Sequence, residues 1–198
     1  MYPWGHLAVG YLLYSVAVHV RHRRPPTGPA ALVGIGATQF PDLVDKPLNW
    51  GFNVFDGRAI GHSLVVLVPL CGLLWYWSRS RECEPLALAF AVGVLSHPLA
   101  DARAALLAGD LEGASYLGWP LLQPPTYPAE TAADHVERGV QATQSLAASP
   151  VTELPGSFGI QLVLFGGCLL VWASDGFPGV GVVRHWYRRW LVRRYSGP

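Results

Sequence analysis

The sequence predicts an all-α protein, a polytopic bundle of membrane helices with about five crossings, one of them short. Three observations predict it. Hydrophobic residues make up 51% of the 198 residues and charged residues only 14%, whereas a soluble domain averages about 25% charged. Eight Trp and eight Tyr supply amphipathic rings of the kind that settle at membrane interfaces. Long uncharged stretches alternate with short clusters of arginine, and the clusters follow the stretches.

A bilayer core of ~30 Å needs about 20 helical residues, and four stretches approach that length: 4–20, 59–77, 85–105 and 157–174. The first has no Lys or Arg before it and has Arg21, Arg23 and Arg24 after it. That order argues for a retained span and against a cleaved signal peptide. The stretch 28–41 is shorter, rich in Gly and Ala and bounded by prolines, as in a short span packed among others or a re-entrant segment. Residues 106–156 form a polar connection with turn signals at Gly109-Asp110, Trp119-Pro120 and Pro124-Pro125, and with an Ala- and Gln-rich stretch at 129–146 that reads as helical. In Val183–Tyr195, Trp186 and Trp190 are four apart, as are Arg184 and Arg188. This is either a basic helix lying on an anionic leaflet or a stop-transfer tail. The chain therefore reads as one integral membrane domain: helices with the site residues over 1–105, an outer loop over 106–156, and a last span with a basic tail over 157–198.

Charge placement orients the bundle. If 28–41 crosses, Arg21, Arg23, Arg24, Arg79, Arg81, Arg184, Arg188, Arg189, Arg193 and Arg194 share one side, against Glu82, Glu84 and Asp175. The positive-inside rule makes that side cytoplasmic, with the N-terminus outside and the C-terminus inside a multi-pass cell-membrane protein. The three cysteines, Cys71, Cys83 and Cys168, are far apart and form neither a disulfide framework nor a CxxC metal site.

On this topology the remaining ionisable residues gather at the opposite face. His6 opens the first span; Asp42 and Asp45 follow the short one; Arg58 and His62 precede the next; His97 and Asp101 lie near the outer end of 85–105. His97 and Asp101 are four apart and share a helix face. Asp42 and Asp45 converge if their segment is helical. Charged groups at membrane depth are costly unless paired, coordinated or hydrated. Imidazole and carboxylate are the usual ligands of Zn²⁺ and related divalent ions. We therefore take His6, Asp42, Asp45, His62, His97 and Asp101 as candidate metal ligands or their supports, with Arg58 as a clamp for an anionic oxygen and Asp45 as a candidate general base. Singly, each has a plainer role: Asp42 as a helix cap, Asp101 as a partner of Arg103, Asp45 as a partner of Lys46 or Arg58.

These residues resemble the YdjM-type family of membrane-bound metal-dependent hydrolases. The resemblance rests on His6, then Pro41-Asp42 with Asp45, then Arg58 with His62-Ser63, then His97 with Asp101, and covers about residues 1–105. The segment Gln39–Pro47 looks most like archaeal, especially haloarchaeal, members. Where the family has a His-Arg-Gly-x-Thr-His-Ser type segment, this chain has Gly57 at the first His and Gly61 at the Thr. More distantly, the pattern is similar to the zinc-dependent phospholipase C group. The resemblance implies a divalent metal, Zn²⁺ by analogy, and hydrolysis of a phosphoester or lipid-like ester, with membrane lipid as surroundings or substrate. No nucleic-acid partner is expected, because the Arg-rich tail is short and its aromatics fit a bilayer surface better. The competing expectation is a non-enzymatic membrane protein whose His and Asp residues form a structural or transport-related ion site.

Overall fold

The computed structural model describes residues 1–52, 57–126, 131–148 and 156–195, which are helical and contain no strand. The helices are α1 (Pro3–His22), α2 (Gly28–Ala37), α3 (Phe40–Phe52), α4 (Leu64–Arg79) and α5 (Glu84–Ala108), then a 3-10 turn (Ser115–Gly118), α6 (Ala132–Ala148), α7 (Gly156–Ser174) and α8 (Val180–Tyr195). Prolines stand in the first turns of α1, α2 and α5, where the missing N–H has no intrahelical acceptor to lose. α5 stops at Gly109, whose φ of 71° is the left-handed cap conformation.

α5 is the central element and packs against α2, α1 and α4, while α7 covers another side of α1. The α2–α5 contact is close because small residues face each other. A Cβ on Gly93 would lie 2.4 Å from the Gly34 carbonyl oxygen, so no larger residue fits there. This is how helices approach where apolar surroundings offer no hydrophobic drive to pack. Correspondingly, the buried clusters are rich in alanine: Ala8, Ala30, Ala31, Ala37 and Ala89 sit beside Tyr11, Tyr14 and Leu67. The large apolar side chains point outward instead, among them Leu13, Val16 and Val20 on α1, Val68 and Leu73 on α4, and Val163 and Leu170 on α7. In water, contiguous apolar surface of this kind marks an interaction face.

The five apolar stretches read from the sequence are α1, α2, α4, α5 and α7. Among the described residues α5 is long and apolar enough by itself to cross a membrane, while Leu64–Arg79 and Phe158–Ser174 are apolar but shorter. The stretch expected over 28–41 ends as α2 at Ala37, and two further differences bear on the site. The helix expected from residue 59 begins at Leu64, because residues 57–63 form a turn and Ser63 caps α4 by accepting a hydrogen bond from the Val66 N–H at 3.3 Å. The segment with Asp42 and Asp45 is a full helix, α3, running through Pro47.

Candidate metal centre

His97 lies in α5, fully buried. Its Nδ1 is 2.5 Å from the carbonyl oxygen of Thr38, which follows the last residue of α2. The last carbonyls of a helix have no intrahelical partner, and a carbonyl can only accept, so Nδ1 carries the proton and donates. Nε2 is left with its lone pair. That atom is buried and has no hydrogen-bond partner among the described residues.

His62 is built by a different route to the same state. Its Nδ1 donates to Asp45 Oδ2 at 2.8 Å. Asp45 comes from α3 and also accepts from the backbone N–H of Ala59 at Oδ2 and of Gly61 at Oδ1, both at 2.8 Å. One buried carboxylate thus satisfies the turn amides and fixes the imidazole. Gly61 is needed here, since its Cβ would lie 2.5 Å from the Pro41 carbonyl oxygen. The family's Thr position is therefore used for close approach of the turn to α3. His62 Nε2 is also buried and without a partner.

Asp42, one turn before Lys46 on α3, completes this group. Its Oδ1 is 3.7 Å from His62 Nε2 and 3.6 Å from His97 Nε2. Its Oδ2 holds Lys46 Nζ at 2.5 Å.

Beside this group lies a second. The His6 ring stacks on His97 with centroids 3.6 Å apart, and its Nε2 is 3.3 Å from Asp101 Oδ1. Asp101 also accepts from the Met1 ammonium at 2.6 Å and from Arg58 Nη2 at 3.0 Å, and its Oδ2 is 3.9 Å from His62 Nε2. His6 Nδ1 is a third buried imidazole nitrogen without a hydrogen-bond partner among the described residues.

The two groups, Asp42–His62–His97 and His6–His97–Asp101, could each hold a metal ion, and His97 belongs to both. The spacing fits such a role. Ligand atoms ~2.0–2.2 Å from a tetrahedral Zn²⁺ lie roughly 3.3–3.6 Å from one another, close to the separations of Asp42 Oδ1 from His62 Nε2 and from His97 Nε2. The orientation fits too: a metal-binding imidazole donates its other N–H to a carboxylate or carbonyl, as His62 and His97 do.

Five of the six ligand candidates from the sequence, His6, Asp42, His62, His97 and Asp101, enter the two groups. Asp45 enters neither, because both of its oxygens face the turn and His62. Arg58 pairs with Asp101 and lies over the Tyr116 ring at 5.3 Å. Gly57 has φ of 83°, a backbone conformation in which a histidine would be strained.

Two contributors were not read from the sequence. The Thr38 carbonyl carries no side-chain signature at all. Tyr116, 1% exposed in the 3-10 turn, meets the His62 ring edge-on at 6.0 Å and donates its OH to the Pro98 carbonyl at 3.3 Å. The same turn is tied down by Ser63, whose hydroxyl donates to the Trp119 carbonyl. Its only signal would have been an aromatic pair, Tyr116 and Trp119, within a polar stretch.

No curated protein and no solved structure matches the chain. The family model of the YdjM inner membrane proteins does match, over residues 1–128. That span extends past the motifs at 1–105 and takes in the Tyr116 turn. With every donor of both groups inside the matched residues, the chain belongs to the YdjM family of inner membrane proteins.

Proposed function

We propose that the protein is a membrane-embedded, metal-dependent hydrolase acting on a phosphoester or lipid-like ester at the membrane face opposite the arginine clusters. The observation that carries the reading is the pair of buried, unpartnered Nε2 atoms of His62 and His97 on either side of Asp42 Oδ1. An unsatisfied buried polar atom costs about 1–3 kcal/mol. Two aimed at one carboxylate oxygen call for a cation between them.

Asp42, His62 and His97 would hold that ion, with His6 and Asp101 adjoining, and Zn²⁺ suits a donor set of imidazole and carboxylate. A divalent ion there supplies a Lewis acid and water acidified toward neutral pH. Arg58, its side chain 32% exposed, binds an anionic substrate oxygen through its fork while Asp101 holds it in position. Asp45 positions His62; its three hydrogen bonds favour this over the ligand and base roles that its sequence position invites. Tyr116 shields the His62 side of the centre from water.

In the same reading α1, α2, α4, α5 and α7 cross the membrane, with the N-terminus outside and the basic C-terminus in the cytoplasm. The support is the arginine asymmetry: Arg21 closes α1 and Arg79 closes α4, at the helix ends away from the donors. Cysteines introduced at Arg24 and Glu112 should label from opposite sides of sealed vesicles. Labelling of both from one side removes this topology.

The functional test is metal analysis of detergent-purified protein beside His62→Ala, together with hydrolysis of phospholipid-like esters. The expected result is bound metal in the wild type, loss of it in the variant, and hydrolysis that stops with chelator and returns with metal. A protein that binds no divalent ion sinks the proposal. One that binds metal but cleaves no ester across a headgroup panel is an ion site without catalysis.

A further inference from the structure

At the other end of α2 lies a feature that hydrolysis does not use. Gly28 and Thr38 are about 15 Å apart along the helix. Around Gly28, α8 starts hard against α2. A Cβ on Gly28 would lie 3.0 Å from Val182 Cγ2, and one on Gly179 would lie 2.9 Å from Leu32 Cδ2. Between the two helices is an open groove of about 450 Å³, walled by Leu32, Ile35, Trp172, Val183 and Tyr187, with Arg184 among its walls. A second hollow of similar size continues it past Trp186 and Trp190. The walls are almost entirely apolar, yet Val183 is 56% exposed and Tyr187 60% exposed.

The charge on α8 has one sign. Arg184, Arg188 and Arg189 are exposed, and no Asp or Glu follows Asp175 in the chain. Asp175 itself is engaged elsewhere, accepting from Tyr11 and Ser15 at 2.7 Å each, with His19 Nε2 at 3.5 Å. Arg184 lines the groove itself, whereas Arg188 lines a separate hollow with His185, Arg189 and Val192. An apolar trough with a planar cation in its wall complements a molecule with a long hydrocarbon chain and an anionic phosphate head.

We infer that the α2–α8 groove is a binding site for an anionic phospholipid of the leaflet on the basic side. One acyl chain lies along Leu32, Val183 and Tyr187, and the phosphate is held by Arg184. The site is separate from the metal centre and stands or falls independently of the hydrolase reading.

The experiment uses full-length protein, delipidated in detergent and titrated with dioleoyl phosphatidylglycerol or dioleoyl phosphatidylcholine, with bound lipid counted by native mass spectrometry. The wild type should bind phosphatidylglycerol about fivefold more tightly. An arginine near an anionic headgroup is worth roughly a fivefold change, so Arg184→Gln should weaken phosphatidylglycerol about fivefold and leave phosphatidylcholine unchanged, whereas Arg188→Gln should change neither. Val183→Trp keeps Arg184 and fills the groove; it should weaken phosphatidylglycerol at least tenfold. All the substituted side chains are exposed, and an unchanged thermal melt confirms that each variant folds. Equal binding of the two lipids overturns the inference. So does wild-type affinity in Val183→Trp, which would leave only a charged surface. A dimer mass that disappears in Val183→Trp overturns it in favour of a second copy of the chain.

Discussion

Replacing Asp45 by Asn separates a group that orients a ligand from the ligands themselves. Asn keeps the shape but exchanges one carboxylate oxygen for an NH₂. Asp45 accepts three hydrogen bonds, two at Oδ2 from Ala59 N–H and His62 Nδ1, and one at Oδ1 from Gly61 N–H. The arrangement that loses least keeps the oxygen toward His62 and Ala59, so the NH₂ faces the Gly61 N–H and that bond is lost. A buried donor left unpaired costs about 1–3 kcal/mol. The charge that strengthens the imidazole as a ligand also disappears, and loss of such a partner typically lowers metal affinity about 10–100-fold. Asp45→Asn should therefore lower Zn²⁺ affinity within that range, measured by chelator competition, and should lower the melting temperature of the metal-free protein. The effect must run through His62. In a His62→Gln background, Asp45→Asn should change metal affinity less than threefold, while in a His97→Gln background it should retain its full effect. An Asp45→Asn effect of equal size in both backgrounds would refute the assignment of Asp45 as the partner of His62.

Other perturbations test neighbouring parts. Gly61→Ala places a Cβ 2.5 Å from the Pro41 carbonyl oxygen, and overpacking of this kind costs about 1–3 kcal/mol; the melting temperature should fall by several degrees and metal affinity should fall with it. Arg58→Gln removes a partner of Asp101 but no donor of the centre, so metal content should stay near that of the wild type while ester hydrolysis drops at least tenfold. Tyr116→Phe deletes the bond to the Pro98 carbonyl, worth about 0.5–1.5 kcal/mol; thermal stability should fall slightly and bound metal should not change. Gly93→Leu drives a side chain into the Gly34 carbonyl and should abolish the folded α2–α5 pair, read as loss of a monodisperse species in detergent.

The apolar helices and the gathering of polar residues were legible in the sequence for one reason: ionisable residues are rare in an apolar chain and stand out against it. His6, His62, His97, Asp42 and Asp101 could be picked out on that ground, and the fold brings them together. The division of labour was not legible. Asp42 and Asp45 look alike in the sequence, three residues apart on what proves to be one helix, α3. Only the fold shows that one turns to the turn amides and His62 while the other turns to the gap between two imidazoles. The start of α4 was misjudged for a related reason. Apolar residues from Ala59 onward continue the span by composition, but the close approach of Gly61 to Pro41 holds them out of the helix.

The centre stands where regular structure ends, and that location explains its parts. A helix end or a tight turn buried in apolar surroundings leaves carbonyl and amide groups that must find partners. Here the partners are the site residues. The Thr38 carbonyl beyond α2 takes the His97 N–H; the Ala59 and Gly61 amides take Asp45, which takes His62 in turn. The backbone's need for partners and the need for two imidazoles with free Nε2 atoms are met by the same bonds. Each histidine is thus locked by a different interruption, His97 by the end of α2 and His62 by the turn before α4. Small residues let α2 and α5 approach, and that contact brings the Thr38 carbonyl within reach of His97. The tightness of the apolar packing and the geometry of the polar centre are consequently one property, so a bulky residue at Gly93 acts on His97 without touching it.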